Sequence, residues 1–158
     1  MNPINTSGLF QWFAQKSWAP ADFQRNAWEA YLTGGSGLIH SATGSGKSLA
    51  AWGGPVIEAL SNPATKGIQV LWITPLRALA GDTLRNLSEA SAGAGLLWRI
   101  EKRTGDTSAT DRARQRKDPP ETLITPPESL PLLLSYANAS QQFRHLKVVV
   151  VDEWHELI

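Results

Sequence analysis

Along the chain, apolar and polar positions switch between a helical period and short apolar runs. Leu9–Lys16 (LFQWFAQK) reads as a short helix, and Trp18, Ala19 and Pro20 break it. Asp22–Leu32 (DFQRNAWEAYL) reads as a second helix, with Asp22 placed to cap it after Pro20. The turn GGSG (34–37) leads into a short apolar strand expected at Leu38–His40. A loop at 41–47 precedes a helix over Lys47–Leu60, and a turn at 61–67 precedes a strand over Ile68–Ile73 (IQVLWI). The pattern then predicts a helix at Arg77–Glu89, a strand at Leu96–Glu101, a charged helix at Ser108–Lys117 and a strand at Thr122–Thr125. A helical stretch at Pro127–Tyr136 and a strand at Lys147–Val151 complete it. Strands alternating with helices predict an α/β fold built on a parallel sheet with flanking helices.

The last stretch, VVVVDEWHELI, carries the first hint of chemistry. Four β-branched residues without polar alternation, Val148 to Val151, read as a strand covered on both faces. Ligands of open parallel sheets bind beyond the carboxyl ends of the strands, where Asp152 and Glu153 stand. Taken alone, the pair reads equally well as a solvated turn after a strand.

Composition narrows the class without naming a function. The 158 residues suffice for one domain with a real core, and 42% hydrophobic with 18% charged residues fit a globular chain. The net charge of +1 points to no partner by itself. The absence of cysteine excludes disulfides and thiolate metal sites and fits a cytoplasmic setting. Residues 1–8 have neither the basic start nor the apolar core of a signal peptide, and no segment approaches the ~20 apolar residues of a membrane span. No internal repeat is present.

The loop SATGSGKS (41–48) lies between an expected strand and an expected helix, the context of a phosphate-binding loop. Gly44 and Gly46 allow backbone N–H groups to close around phosphate oxygens, with Thr43 and Ser45 between and beside them. The helix starting near Lys47 points its positive end at the anion, Lys47 reaches the terminal phosphates, and the Ser48 hydroxyl suits Mg2+. The strict pattern asks for Gly at position 41, where this chain has Ser. The plain alternative is a glycine-rich strand-to-helix turn, which Lys followed by Ser disfavours. A nucleotide on this loop brings Mg2+, which prefers carboxylate and water ligands. Asp152 and Glu153 would then be explained as the carboxylates a strand delivers to that chemistry.

SATGSGKS with VDEWH resembles the superfamily 2 helicases of the DExH-box type, with Ala42 displaced by one from the form A-x-x-G-x-G-K-S/T. TPLRAL (74–79), TGDT (104–107) and TPPES (125–129) resemble motifs that contact nucleic acid in the first RecA-like domain, and PADFQ (20–24) is similar to the adenine-reading Q motif. These ordered matches span about residues 18–156. PLRALA, RTGDT and DEWH resemble the large helicase-related (Lhr-like) group, nearest its bacterial DNA ligase-associated branch.

The resemblance implies a RecA-like P-loop NTPase domain using ATP and Mg2+. It implies an arm and short helix at 1–17, and at 18–158 part of a first RecA-like domain. It makes Gln24 the adenine reader. Thr43, Gly44, Ser45, Gly46, Lys47 and Ser48 become the phosphate cradle, and Ser48 and Asp152 the Mg2+ anchors. Glu153 is the general base, and His155 couples nucleotide state to strand contacts. Thr74, Pro75, Leu76, Arg77, Thr104, Gly105, Thr125 and Glu128 would line the nucleic-acid face. The partners implied are nucleic acid, DNA rather than RNA, and through the ligase-associated branch DNA ligase and nuclease proteins, with no membrane. The rival reading is a non-catalytic module that binds nucleic acid or a partner through the same surface; a P-loop kinase would need none of TPLRAL, TGDT and TPPES.

Other features have plainer readings. Trp52 and Trp72 lie in apolar segments and are expected in the core, while Trp18 is a candidate neighbour of adenine. Arg99–Lys117 holds seven basic and three acidic residues; Arg112, Arg114, Arg116 and Lys117 are expected on a solvated helix face. The family's Ser-Ala-Thr motif and second RecA-like domain are not in these residues, so the chain is expected to be the front of a longer enzyme, inactive alone and poorly stable. The strand that would insert between Leu38–His40 and Val148–Val151 is missing with them, which would leave the valine edge open.

Overall fold

The computed structural model describes residues 6–63, 65–75 and 77–157, with Arg77 described for its backbone only. They form two compact units, one from 6–63 with 87–97 and one from 65–75 and 77–86 with 98–157.

The first unit is helical. Helices α1 (Ser7–Gln15), α2 (Asp22–Leu32) and α3 (Lys47–Ser61) pack together with the last part of α4 (Arg77–Gly93). Helix α2 has the bounds the pattern predicts, but Asp22 is its first residue rather than its cap. Ala21 holds the cap position, and the Gln24 side chain turns back to accept its N–H through Oε1 at 2.9 Å. One stripe of α2, Gln24, Trp28 and Tyr31, lies on α3, at the i, i+4, i+7 spacing of a helix face. Trp28 Nε1 donates to Leu49 O at 2.9 Å and the Tyr31 hydroxyl donates to Glu58. Burial, then the hydrogen bond and charge of Glu58, push the Tyr31 phenol well above its ordinary pKa.

The pair Gly53–Gly54 makes this approach possible. A Cβ on Gly53 would stand 2.2 Å from Trp28 Nε1, and one on Gly54 2.7 Å from the Tyr31 ring. Behind this seam, Trp52 is fully buried and donates from Nε1 to Ser91 Oγ at 3.2 Å. Trp12, Phe13, Trp18 and Trp28 meet edge to face in an aromatic cluster with Phe10. Trp18 spends its ring on Trp12 and Phe13, with half of the residue still exposed.

The second unit is a four-stranded parallel sheet in the order β2-β3-β1-β4, with β1 at Val70–Ile73, β2 at Ile100–Lys102, β3 at Thr122–Thr125 and β4 at Val148–Val151. The inner strands β1 (VLWI) and β3 (TLIT) are buried at every position, as doubly covered strands should be. Leu71, Ile73 and Leu123 turn one face toward Leu133, Tyr136 and Phe143, which come from or adjoin the short helices α6 (Leu130–Ser135) and α7 (Ala139–Gln142). Helix α5 (Ala109–Lys117) precedes β3 and is capped by Ser108, whose Oγ accepts from Asp111 N.

Three expectations are corrected. Leu38–His40 is not a strand: it joins no ladder, Leu38 is 69% exposed, and an extended segment without a partner strand has nothing to hold it. The β2 strand begins at Ile100 rather than Leu96, because Leu96–Trp98 follow the turn that ends α4 and only the last residues reach β3. The four valines of β4 are not covered on both faces. β4 is an edge strand whose residues alternate between half-buried and exposed, with Val149 at 47% and Val151 at 44%. This agrees with an open valine edge. The helical stretch at Pro127–Tyr136 is real but divided, a 3-10 turn at Pro127–Ser129 followed by α6.

Gly53→Ala tests the α2–α3 seam. Helix propensity alone favours alanine by up to about 1 kcal/mol. The 2.2 Å approach to an indole held by its own hydrogen bond reverses the sign. Urea unfolding should show a net loss of about 1–3 kcal/mol. Gly37→Ala, where nothing lies within 4 Å, should stay within about 0.5 kcal/mol.

Candidate functional site

The loop at 41–48 sits in the first unit. Gly44 (φ 76°) and Gly46 (φ 93°) both take the left-handed region, where a side chain is strained, and Gly46 is the N-cap of α3. The chain therefore turns sharply between Ala42 and Lys47, with Ser45 N donating to Ala42 O at 3.2 Å. The turn leaves the first backbone N–H groups of α3 at the loop's end, a positive dipole terminus. Lys47 is half-buried, its ammonium donating to Ser41 O at 2.9 Å, because the short loop brings a carbonyl within its reach. Ser45 Oγ is buried without a hydrogen-bond partner among the described residues. Ser48 follows at the second position of α3, half-buried, and Thr43 and Gly44 are exposed.

Gln24 reaches this loop from α2. Its amide is 4% exposed; Oε1 accepts Ala21 N–H, and Nε2 donates to Gly46 O at 3.1 Å. A Cβ on Gly46 would stand 2.5 Å from that nitrogen, so glycine there meets both a backbone and a packing demand. A phosphate group fits this arrangement: clustered N–H donors, a movable ammonium and an orphaned buried hydroxyl.

The carboxylates sit in the second unit, at the end of β4. Asp152 N donates to Ile73 O at 2.8 Å, and Asp152 Oδ1 accepts from Glu153 N at 3.0 Å. Glu153 has φ 45°, a left-handed conformation that costs a non-glycine residue about 1 kcal/mol or more. Trp154–Leu157 then form a 3-10 turn that brings His155 Nε2 to 3.4 Å from both Glu153 Oε2 and Glu156 Oε1. Among the described residues there is no cluster of three or more His, Asp, Cys or Glu suited to a metal.

The remaining motif residues gather at the carboxyl ends of β1, β2 and β3. Thr74 and Thr125 are fully buried; Thr74 N donates to Thr125 O at 3.1 Å, and Thr125 Oγ1 donates to Arg103 O at 2.9 Å. Thr74 Oγ1 is buried without a partner among the described residues, and Pro75 is half-buried. Thr104 N donates to Thr107 Oγ1 at 2.9 Å, and Thr104 Oγ1 accepts from Asp106 N at 3.3 Å. The hydroxyls of Thr104 and Thr125 thus shape their own loops, and Gly105 and Glu128 are the exposed members. Leu76 and the Arg77 side chain lie outside the described residues.

Sequence reasoning missed two arginines here. Arg112, expected on a solvated face, folds back from α5 and donates from one nitrogen to Thr104 O (3.1 Å) and Gly105 O (2.8 Å). Arg103 is 3% exposed, donates to the Tyr136 hydroxyl and lies 5.1 Å from its ring centroid. Burial pushes the Arg103 guanidinium below its ordinary pKa, against the pull of Tyr136. Glu101 on β2 is pushed up by burial, but hydrogen bonds from Arg114 and Gln115 outweigh this and hold it below its ordinary value, tying α5 to β2. An arginine clamp spaced seven or eight residues from its target loop has no sequence signature to separate it from a charged helix face.

The family model described as DEAD/DEAH box helicase matches residues 21–158. The chain is 38% identical over 160 residues to the Lhr helicase/probable uracil glycosylase of Mycolicibacterium smegmatis, covering 92% of this chain and 10% of that protein. It is 36% identical over 161 residues to the ATP-dependent helicase Lhr-Core of Methanocaldococcus jannaschii, covering 93% of this chain and 19% of that one. The structure of Mycobacterium smegmatis helicase Lhr bound to ssDNA and AMP-PNP superposes with a TM-score of 0.82 at 35% identity, over 94% of this chain and 20% of that one. The DUF1998 helicase MrfA bound to DNA and AMPPNP shares the fold, with a TM-score of 0.84 at 23% identity over 98% of this chain and 22% of that one. The chain therefore spans between about a tenth and a fifth of the length of these relatives.

Removing the Arg112 clamp should loosen the loop it holds. In Arg112→Ala, amide hydrogen exchange at residues 104–107 should speed up by roughly tenfold, the scale of one hydrogen-bonded cation. Unchanged protection at those amides would show that Arg112 does not set the loop.

Proposed function

Because this chain belongs to the DEAD/DEAH box helicase family, we propose that it is the ATP-binding part of an ATP-dependent nucleic-acid helicase. Residues 18–158 form part of a first RecA-like domain, and residues 1–17 are an arm carrying α1. The observation that carries the reading is the loop at 41–48, with its two left-handed glycines, its ammonium resting on Ser41 O and its buried, unpartnered Ser45 hydroxyl.

In this reading Lys47 leaves Ser41 O for the terminal phosphates, and the amides from Thr43 to Ser48 close on their oxygens. Ser48 and Asp152 are the residues that would hold Mg2+, which would supply charge neutralisation. Glu153 takes the proton of the attacking water, and its strained backbone supports a role that needs that carboxylate aimed in one direction. His155, within 3.4 Å of Glu153, carries the state of that carboxylate toward the strand contacts. Gln24 reads adenine with the hydrogen-bonding capacity its two backbone partners leave over.

The nucleic-acid face comprises Thr74, Pro75, Leu76, Arg77, Thr104, Gly105, Thr125 and Glu128. Thr104 and Thr125 serve it by fixing loop shape, so that backbone N–H groups meet phosphates. DNA is the preferred strand, supported by the single-stranded DNA bound to the Lhr relative, and the setting is the cytoplasm with DNA ligase and nuclease partners. No helix among the described residues is long and apolar enough to cross a membrane.

In the full-length protein, Glu153→Gln should keep ATP binding and lose strand-stimulated hydrolysis by ~10²-fold or more, the scale of a general base. Turnover close to that of the parent would refute the role of Glu153. A full-length protein with no strand-stimulated hydrolysis at all would favour the non-catalytic module.

A further inference from the structure

The second unit carries a hollow at the end of its sheet away from the motif loops. It lies where the chain enters β1, β3 and β4, and it measures about 450 Å3, within the range of small-ligand sites. Strands of four residues span roughly 13 Å at about 3.3 Å per residue, so the hollow is separated by that length from Thr74, Thr125 and Asp152.

Its lining is strongly cationic. Lys66, Arg116, Lys117 and Arg144 surround it, with His145 beside them and Asp118 as the one carboxylate. That carboxylate is already taken, because Arg99 donates to both its oxygens at 2.8 and 3.1 Å. Several exposed cations elsewhere among the described residues are paired: Lys16 with Glu89, Arg25 with Asp22, Arg85 with Asp82 and Arg114 with Glu101. None of the four lining cations makes an ion pair among the described residues. Four unpaired charges around one hollow repel one another, and the chain as a whole carries a net charge of only +1. The concentration is therefore local.

The floor is also fixed in place. Gln142, 5% exposed, donates to Arg116 O at 3.4 Å and to Asn138 Oδ1 at 3.2 Å, joining α7 to the last turn of α5. The Arg116 guanidinium rests 5.0 Å from the Tyr136 ring centroid, so its direction is set before any ligand arrives. The two arginines offer forked donors and the two lysines compact charges, a combination that matches phosphate oxygens.

We propose that this hollow is a second anion site that takes phosphate groups, either those of a single nucleic-acid strand held away from the motif loops or those of a free polyphosphate. The site is independent of the loop at 41–48 and of the carboxylates at 152 and 153.

The test uses the chain with a labelled ~20-nucleotide oligothymidylate, titrated by fluorescence anisotropy over a series of salt concentrations. Lys66→Ala/Arg144→Ala should weaken binding about tenfold. It should lower the slope of log K against log salt by roughly 1.4, for two phosphate contacts on a single strand. The charge-matched pair Lys16→Ala/Arg85→Ala should change neither. A second arm titrates inorganic tripolyphosphate and follows the backbone amide resonances of Lys66, Lys117 and Arg144. If these shift in the parent but not in the double variant while oligonucleotide binding is unaffected, the ligand is free polyphosphate. If the oligonucleotide effect is also seen, it is the strand. Equal losses in both double variants, or failure of both probes to depend on Lys66 and Arg144, overturns the proposal. So does a shift of those amides by polyglutamate alone, which would mark a docking surface for an acidic protein segment. Lys66→Gln/Arg144→Gln replaces the alanine pair if thermal melting shows the latter unfolded.

Discussion

The seam between α2 and α3 is the constraint on which the candidate nucleotide site depends. A phosphate loop of eight residues with two left-handed glycines has little to define its own shape. Here the shape is imposed from outside, by one stripe of a neighbouring helix. Gln24 bonds the loop's last carbonyl before α3, Trp28 bonds α3 a turn further on, and Tyr31 bonds it two turns beyond that. Each contact needs the backbones to come close, and Gly46, Gly53 and Gly54 are where side chains would prevent it. The same glutamine that completes the first turn of α2 therefore also sets the start of the phosphate-binding helix. Local helix capping and the geometry of the site are one interaction.

The sheet of the second unit works on a different principle. Its inner strands are buried at every position and make a platform, and the chemistry stands in the loops that leave their carboxyl ends. Those loops are held by polar bonds rather than by packing. Thr125 holds Arg103, Arg112 holds the carbonyls of Thr104 and Gly105, and Asp152 receives the N–H of Glu153. The strain at Glu153 is offset by the bond its N–H donates to Asp152 and by the 3-10 turn that follows. At the opposite end of the same sheet, unpaired cations collect around a rigid floor. The two ends are thus distinguished by charge as well as by chain direction.

Much of this was legible in the sequence, and the rest for definite reasons was not. Periodicity located α2 to the residue and found β3 within its observed bounds, because both are strongly patterned and flanked by clear breakers. The loop at 41–48 stood out through its glycines, and Gly44 and Gly46 do take the left-handed region. By contrast, Leu38–His40 has the composition of a strand but no ladder to join, and pairing is not a local property. Val148–Val151 reads as doubly buried, yet burial depends on which neighbours lie alongside, and β4 has only one. Lys47 turned inward because a carbonyl was in reach, which spacing alone does not reveal. The arginines at 103 and 112 look like members of a basic surface run until the fold returns them to the loop they brace.

The central claim is that Lys47 and the loop around it bind ATP. The most direct measurement is a calorimetric titration of Mg-ATP into the chain and into its Lys47→Ala variant, with thermal melting to show that both remain folded. The account requires saturable one-to-one binding by the parent and its loss, by at least about tenfold in affinity, in the variant. Equal affinity of the two folded proteins for Mg-ATP would contradict it.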